Sequence, residues 1–272
     1  MKIAINYSDE NFRKAQQLNS KTAYKNGKVD KVIEYSPSSI DKDFKEQYNK
    51  ILQCKRGGGY WLWKTYIIKR TLDEMEWGDY LFYCDSGAFY CNKIDKLIEC
   101  LEQNNTDILA FEIPLIEKQW TKRDCFILME CDSEEYFNTN QRIATYILFK
   151  KTERVINFVN EYLNYCSDER ILTDLENSQG IENYEGFIDH RHDQSVFSLL
   201  TKKYNIPGYK EPSQYGYRPW EYFKDMRLYR QNDYQNSKYS RIVISYRKAN
   251  PYKFLIKEKI KDLFQKFDLR YI

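Results

Sequence analysis

The chain alternates between two spacings of apolar residues. Short apolar runs flanked by turn residues predict buried strands, and apolar residues that recur every three or four positions predict helices. Strands that alternate with helices in this way predict an α/β fold with a largely parallel sheet. The predicted strands are residues 2–7, 31–35, 80–84, 106–113 and 144–149, and the predicted helices are residues 10–17, 40–53, 60–75, 92–103, 152–165 and 193–203.

The periodic pattern fades over residues 205–240, where Pro, Gly, Tyr and Arg accumulate. We therefore predict a main domain at residues 1–237 and a mainly helical, basic extension at residues 238–272. The extension holds ten Lys or Arg and three acidic residues, so it carries +7 while the rest of the 272-residue chain carries −4. Residues 253–267 are predicted to be a helix, with apolar side chains at positions 254, 255, 260, 263, 264 and 267.

A basic extension favours an anionic partner, such as a membrane surface, a nucleic acid or a diphosphate ligand. Each lysine or arginine near an anionic lipid surface contributes about 1 kcal/mol, so several of them give reversible membrane binding that salt weakens. The apolar positions equally fit a helix that packs on the main domain or on a second subunit. A solvated basic helix is the remaining interpretation.

Aromatic residues make up 17% of the chain, with 25 Tyr, 15 Phe and 5 Trp. This composition suits a protein that stacks on ring-shaped ligands, and it also fits an aromatic-rich core. The seven cysteines include no Cys-x-x-Cys pair, and no apolar run has the length of a membrane span. Together with the lack of a signal peptide, these features predict a cytoplasmic protein with reduced thiols and no structural zinc.

An acidic residue ends one of the predicted strands. Asp85 directly follows the apolar run of residues 80–84, and Ser86 and Gly87 come next. Acids at the carboxyl ends of strands lie where open α/β sheets bind ligands, and glycine allows a close backbone approach. We predict that Asp85 lies at a bound diphosphate or ribose. The alternative is an acid that caps a turn after a core strand.

A basic, glycine-rich segment occupies residues 55–64, with the sequence Lys-Arg-Gly-Gly-Gly-Tyr-Trp-Leu-Trp-Lys. Glycine backbone and cations before a helix can receive a phosphate group or a sugar nucleotide. We predict that this segment closes over the ligand as a lid, with Arg56 in contact with phosphate and with residues 57–59, Gly58 among them, supplying the mobility that a lid needs. Trp61 and Trp63 either stack on a base or sugar, or pack in the core.

A polar cluster lies at residues 188–195, directly before an amphipathic helix. It contains two histidines, an arginine, two acids and a glutamine, which is more than a helix cap requires. His192, Asp193 and Gln194 are therefore predicted to line a ligand cleft. The alternative is that Asp193 serves only as a helix N-cap.

Taken in order, these three segments resemble bacterial glycosyltransferases of the GT-A fold, most of all those of capsule and lipopolysaccharide gene clusters. The likeness spans roughly residues 1–205. It implies sugar transfer from a nucleotide-sugar donor, above all a UDP-sugar, to a glycan or lipid-linked acceptor at the inner face of the cytoplasmic membrane. It also implies catalytic roles for His192, Asp193 and Gln194. The donor-binding residues that it implies are Arg56, Gly58, Tyr60, Trp63, Lys64, Asp85, Ser86 and Gly87.

In that superfamily a strand-end Asp-x-Asp binds a divalent metal and the donor diphosphate. The resemblance therefore implies Mn²⁺ or Mg²⁺ as a cofactor, with Asp85 as a ligand. Gly87 stands where the second acid would be, so Asp85 needs a further ligand to complete a metal site. The sequence leaves retention and inversion of configuration open. An inverting enzyme would need a general base, and the candidates are Asp193, Asp189 and Glu112.

Two other classes of function remain open at the level of sequence. A non-catalytic carbohydrate- or nucleotide-binding protein of the same fold would bind the donor without transferring or hydrolysing its sugar. A basic nucleic-acid binder is disfavoured, because basic and aromatic residues interleave only weakly outside the extension and no RNA-binding motif occurs. The sequence thus favours a hexosyltransferase that has no nucleic acid as partner.

Overall fold

A computed structural model describes residues 1–246 and 250–266. These residues contain the strands β1 (Lys2–Tyr7), β2 (Lys31–Tyr35), β3 (Tyr80–Cys84), β4 (Ala88–Tyr90), β5 (Ile108–Ile116), β6 (Asn140–Lys150), β7 (Gly208–Lys210) and β8 (Val243–Ser245). Six of them form a central sheet in the order β2-β1-β3-β6-β5-β7. β1 pairs in parallel with β2 and β3, β6 runs antiparallel to both of its neighbours, and β7 is parallel to β5. The predicted α/β fold with a mainly parallel sheet is confirmed.

The longer helices are α1 (Arg13–Thr22), α2 (Leu62–Glu74), α3 (Asp95–Gln103), α4 (Glu153–Cys166), α5 (Asp193–Lys203) and α6 (Pro251–Lys266). Short helices lie at Lys42–Gln47, Asn49–Leu52, Arg123–Leu128, Glu134–Phe137 and Glu169–Leu172, and Gly57–Tyr60 forms a left-handed turn. Single helical turns lie at Glu10–Phe12, Ala23–Gly27, Pro37–Ser39, Glu117–Gln119, Gln214–Gly216 and Pro219–Tyr222.

Helices cover both faces of the sheet. Successive side chains of a strand point to opposite faces, so neighbouring residues pack against different helices. Ile3 and Ile5 of β1 belong to a buried cluster that includes residues of α2, α4 and α5. Ala4, between them, belongs to a second cluster with residues of α3. On β3, Leu81 and Phe82 divide between the same two clusters. Strands buried on both faces are apolar at every position, which explains their continuous apolar runs.

Strands β1, β2 and β3 and helix α5 match the sequence prediction residue for residue, and the larger differences have local causes. The helix predicted at residues 40–53 is divided at Tyr48, whose backbone is not helical. The helix predicted at residues 10–17 begins as a turn that Asp9 caps, and it continues to Thr22. Strands β4, β7 and β8 were not predicted, because three residues are too few to show a periodicity.

The extension begins inside the body of the protein. β8 pairs antiparallel with β4, with Ser245 opposite Ala88. The domain division at residue 237 stays a prediction, and the predicted helix is confirmed over Pro251–Lys266. No helix of the described residues is long and apolar enough to cross a membrane. The predicted helix position Phe267 and the basic residues Arg247, Lys248 and Arg270 lie outside the described residues.

Candidate functional site

A cleft of about 970 Å³ opens at the carboxyl ends of β1 and β3. Residues 7–9 come from the end of β1 and residues 85–87 from the end of β3. This is the edge at which the parallel strands of an open α/β sheet present ligand-binding residues. Of the predicted donor-binding residues, Gly58, Trp63, Asp85, Ser86 and Gly87 line the cleft.

A stacked aromatic pair lines the cleft. The ring centroids of Tyr7 and Trp63 lie 3.7 Å apart, with 14° between the ring planes. The indole N–H of Trp63 donates to the carbonyl oxygen of Gly57 at 2.9 Å, which fixes the orientation of the ring. Burial raises the pKa of Tyr7 to about 12, so the phenol is neutral. Trp63 is 7% exposed and belongs to the core, as one of the two interpretations of the sequence had it, whereas Tyr7 is only partly buried. Tyr7, held in place by Trp63, is therefore the ring of the pair that suits stacking against a base or a sugar ring.

The glycine-rich segment forms a left-handed turn. All five residues from 57 to 61 have positive φ values, between 51° and 97°. Backbone hydrogen bonds hold the turn, with the N–H of Gly59 donating to Cys54 and that of Tyr60 donating to Arg56, each at 2.8 Å. Glycine adopts this conformation readily, whereas Tyr60 is strained in it. The segment that was expected to supply the mobility of a lid is thus a hydrogen-bonded turn in the structure.

The glycines of this turn differ in how closely they are packed. A Cβ atom at Gly59 would lie 2.7 Å from the Cα of Leu52, so the backbone itself excludes a side chain there. A Cβ atom at Gly58 would be 3.7 Å from its nearest neighbour, the indole nitrogen of Trp63. Gly58 faces the cleft, whereas Gly59 allows the turn to pack against the preceding helix.

The carboxylate of Asp85 is held by two neighbours and remains open to the cleft. The hydroxyl group of Tyr83 donates to its Oδ1 atom at 2.5 Å, and Nζ of Lys64 lies 3.8 Å from the same oxygen. The side chain is 35% exposed, so part of it can meet a ligand. Ser86 ties the turn to β1, because its hydroxyl group donates to the carbonyl oxygen of Tyr7 at 2.6 Å.

A buried ion pair lies behind Asp85. Nζ of Lys64 is 2.7 Å from Oδ2 of Asp193, and both side chains are 4% exposed. Lys64 also donates to the carbonyl oxygen of Ala144 at 3.2 Å. Burial raises the pKa of Asp193 to about 6, although Lys64 opposes the rise. Burial alone would lower the pKa of Lys64, but Asp193 and Asp85 raise it above its usual value. Lys64 is therefore a cation shared by two carboxylates.

The predicted catalytic residues Asp193 and Gln194 lie beside the cleft residues and do not line the cleft. Asp193 is the first residue of α5 and does not cap the helix, because His192 occupies the N-cap position and the Asp193 carboxylate binds Lys64. The side chain of Gln194 donates to Gln141 at 2.8 Å. The alternative that Asp193 is only an N-cap is wrong, and its role in sugar transfer stays a prediction.

Arg56, Tyr60 and His192 form a second group outside the cleft lining. Arg56, predicted to bind phosphate, pairs with Asp174 at 3.1 Å and with Asp189 at 2.5 Å. The ring of His192 lies 4.7 Å from that of Tyr60, and its Nδ1 donates to a backbone carbonyl at 2.8 Å. Burial lowers the pKa of His192, so its ring is neutral. This group joins the loop before α5 to the glycine turn.

The three candidate general bases are also placed outside the cleft lining. Asp193 binds Lys64, and Asp189 binds Arg56. Glu112 lines a separate cavity of about 240 Å³ and accepts a hydrogen bond from Tyr234 at 2.9 Å.

Several cleft residues were not predicted from the sequence. Lys45 and Lys55 line the cleft, and neither forms an ion pair with a residue of the described chain. Glu211 comes from the region where the apolar pattern fades, so it was not predicted. Its position directly after β7, like that of Asp85 directly after β3, could have marked it as a ligand-binding residue. The other unpredicted lining residues include Tyr7, Ile143, Thr145, Tyr146, Tyr215, Tyr222 and Ser245.

A divalent cation held by protein ligands alone does not fit this cleft. Within residues 1–246 and 250–266, no group of three or more His, Cys, Asp or Glu side chains is placed to hold a metal ion. The carboxylate of Asp85 already has an ammonium group and a phenol as neighbours. The cations that the structure does provide for a bound anion are the ammonium groups of Lys45 and Lys55.

No family model and no curated protein matches the chain. Among solved structures, the chain is similar to mouse xyloside xylosyltransferase 1 in its apo form, with 9% identity and a TM-score of 0.44, over 90% of this chain and 97% of that one. It is also similar to the galactosyltransferase LgtC in complex with donor and acceptor sugar analogues, with 14% identity and a TM-score of 0.46, over 92% of this chain and 88% of that one.

Proposed function

We propose that this chain is a glycosyltransferase of the GT-A type, which transfers a sugar from a nucleotide-sugar donor to a glycan acceptor. The observation that carries the proposal is the set of groups within one cleft: the stacked pair of Tyr7 and Trp63, the open carboxylate of Asp85, and the ammonium groups of Lys45 and Lys55, with which no described residue forms an ion pair. A nucleotide sugar offers a matching set, because its rings stack, its hydroxyl groups donate to a carboxylate, and its diphosphate pairs with cations.

The same residues match what sugar transfer requires. As the glycosidic bond to the donor breaks, negative charge develops on the departing diphosphate, and fixed cations stabilise that charge. Lys45 and Lys55 fill this role in the proposal. Asp85 holds a hydroxyl group of the ribose or sugar, and Lys64 fixes the position of the Asp85 carboxylate from behind. No step is assigned to a metal ion, since the described residues do not form a metal site.

The finer assignment follows the resemblance of the sequence segments. It is the transfer of a hexose from a UDP-sugar to a growing capsule or lipopolysaccharide glycan on the cytoplasmic side of the membrane. All seven cysteines are free thiols in the structure, which supports a reducing compartment.

A screen of nucleotide sugars tests the proposal. The full chain is incubated with UDP-, GDP-, dTDP- and CMP-sugars, and release of the sugar is measured by mass spectrometry. We expect hydrolysis of one donor class, and Asp85→Asn should lower that turnover on the order of 100-fold at saturating donor. Asp73→Asn is the matched control, because Asp73 is an exposed acid on α2. Unchanged turnover in Asp85→Asn would remove the carboxylate from the mechanism.

One observation favours a second candidate, a binding protein of the same fold that performs no transfer. Asp193 and Gln194, the residues predicted to face the sugar, do not line the cleft. A binding protein would show heat of binding with a nucleotide sugar in calorimetry and release no sugar with any donor or acceptor.

A further inference from the structure

Helix α6 is attached to the body by its charged side. Glu258 is fully buried and pairs with Arg218, whose side chain is 4% exposed. Asp262 pairs with Arg218 at 2.8 Å and with Arg241 at 2.6 Å. Glu258 and Asp262, the two acids of this helix, therefore both point at the body. Breaking the buried pair of Glu258 and Arg218 is strongly unfavourable, so this pair fixes which side of α6 faces inward, and the partly exposed pairs of Asp262 agree with that direction.

The opposite side of α6 is apolar and exposed to solvent. At 3.6 residues per turn, Tyr252, Ile256, Ile260, Leu263 and Phe264 form one stripe. Their exposed fractions are 71%, 61%, 49%, 54% and 50%. A helix that covers a core turns its apolar stripe inward, and here the stripe faces outward.

This orientation removes one of the alternatives that the sequence left for the extension. Phe254 and Leu255 do pack on the body, against the small cluster of Phe89, Ile244 and Tyr246. The predicted apolar positions 260, 263 and 264 do not. Packing of the whole apolar stripe on the main domain is therefore wrong.

Unpaired lysines flank the exposed stripe. Lys253, Lys257 and Lys259 are exposed, and no described residue forms an ion pair with them. Because both acids point inward, the outward side of α6 carries three positive charges and no negative charge over residues 252–264. Apolar side chains bordered by lysines are typical of helices that lie in the interface of a lipid bilayer.

We propose that the outward side of α6 binds the surface of an anionic lipid bilayer, with the helix lying in the plane of the membrane. Ile256, Ile260 and Leu263 would enter the boundary of the acyl chains, while the lysine stems extend to the lipid phosphates. A symmetric dimer through the same side would bring like charges together, because each copy contributes the same three lysines. Charge thus favours lipid as the occupant over a second copy. The inference does not depend on what the cleft turns over.

Vesicle flotation with the full chain tests the proposal. We expect the protein to float with vesicles of phosphatidylcholine and phosphatidylglycerol and not with vesicles of phosphatidylcholine alone. Added salt should release the protein from the anionic vesicles. Serine at the three apolar positions should abolish flotation. The variant is Ile256→Ser, Ile260→Ser and Leu263→Ser. Its control carries serine at comparably exposed apolar positions elsewhere: Leu175→Ser, Ile181→Ser and Ile188→Ser.

A charge-reversal variant gives an independent measurement that does not touch the apolar residues. Three lysines near an anionic surface each contribute about 1 kcal/mol, so reversing all three should lower the vesicle partition coefficient on the order of 100-fold or more. The variant is Lys253→Glu, Lys257→Glu and Lys259→Glu, and the matched control is Lys14→Glu, Lys21→Glu and Lys25→Glu, which are also exposed.

Three results would overturn the proposal. The first is equal binding to neutral and anionic vesicles, or none to either. The second is flotation that survives both α6 variants. The third is a lipid-free dimer in light scattering that the serine variant converts to a monomer, which would make a second copy the occupant. If the serine variant fails to fold, as judged by circular dichroism, the charge-reversal variant decides.

Discussion

Lys64 and Asp193 form an ion pair, 2.7 Å from Nζ to Oδ2, that is almost wholly removed from solvent. A buried pair is stable only while both partners are present, because each charge alone lacks water to stabilise it. Lys64 also lies 3.8 Å from Asp85, which lines the cleft. Asp193 can therefore act on the cleft through Lys64, although its own carboxylate does not line it.

Asp193→Asn should remove a pH dependence of stability. The pKa of Asp193 is raised from 3.8 to about 6 in the folded protein. Burial destabilises the ionised carboxylate of Asp193 by more than Lys64 stabilises it, so protonation of Asp193 favours the fold. This contribution is complete below about pH 4 and is lost as the pH rises through about 6. The unfolding free energy of the wild type minus that of the variant should fall by about 1–3 kcal/mol across this range. Urea unfolding of both proteins at several pH values measures this difference in unfolding free energy. A difference that does not change with pH would contradict the prediction.

Trp63→Leu should weaken binding of a nucleoside diphosphate. Trp63 holds the ring of Tyr7 in the cleft. Stacking of a base on an aromatic side chain contributes on the order of 1–3 kcal/mol, so loss of this support should raise the Kd about tenfold. Trp77→Leu is the matched control, because Trp77 is 66% exposed and does not line the cleft. Calorimetric titration with UDP compares the two. Equal affinities in both variants would show that Trp63 serves the stacked pair with Tyr7 and not the ligand.

Gly59→Ala should destabilise the protein more than Gly78→Ala. Both glycines have positive φ, +97° and +85°, so alanine is strained at either position, by about 1 kcal/mol. At Gly59 the added Cβ would also meet the backbone of Leu52 at 2.7 Å, whereas at Gly78 no atom lies within 4 Å. Thermal unfolding of the two variants gives the comparison. Equal melting temperatures would mean that the turn can shift away from Leu52.

Lys45→Ala and Lys55→Ala should each weaken UDP binding, and the loss should shrink as salt is added, because the ammonium groups act through charge. We expect roughly a fivefold rise in Kd for each at low salt. Lys50→Ala is the control, since Lys50 lies on the same stretch of chain, is exposed and does not line the cleft. If Lys50→Ala weakens binding as much as the others, the effect comes from net charge and not from position.

The sequence predicted those features whose signal is local. Asp85 was found because a continuous apolar run precedes it, and the run itself results from burial on both faces of the sheet. The ion pair of Lys64 and Asp193 was not predicted, because its partners are 129 positions apart and only the fold brings them together.

Two further features could not be predicted from local sequence patterns. The three glycines indicated an unusual backbone, but nothing in the sequence indicated that Tyr60 and Trp61 would continue the left-handed turn. The predicted apolar positions 254, 255, 260, 263 and 264 do lie on α6, but Tyr252 and Ile256 of the exposed stripe were missed, and the direction of the stripe was not predicted. That direction is set by Arg218, which lies where the periodic pattern is weak, and by Arg241, which lies directly after that region.

The pairing of β8 with β4 changes how a shortened chain must be interpreted. The N–H of Tyr246 donates to the carbonyl oxygen of Gly87 at 3.0 Å, and Ser245 lines the cleft. The same stretch of polypeptide thus supports the turn that carries Asp85 and, five residues after Tyr246, begins helix α6. Deleting everything after Asn236 would therefore remove part of the cleft together with the helix. An inactive deletion would report a damaged cleft, so only point substitutions on the outward side of α6 can separate membrane contact from catalysis.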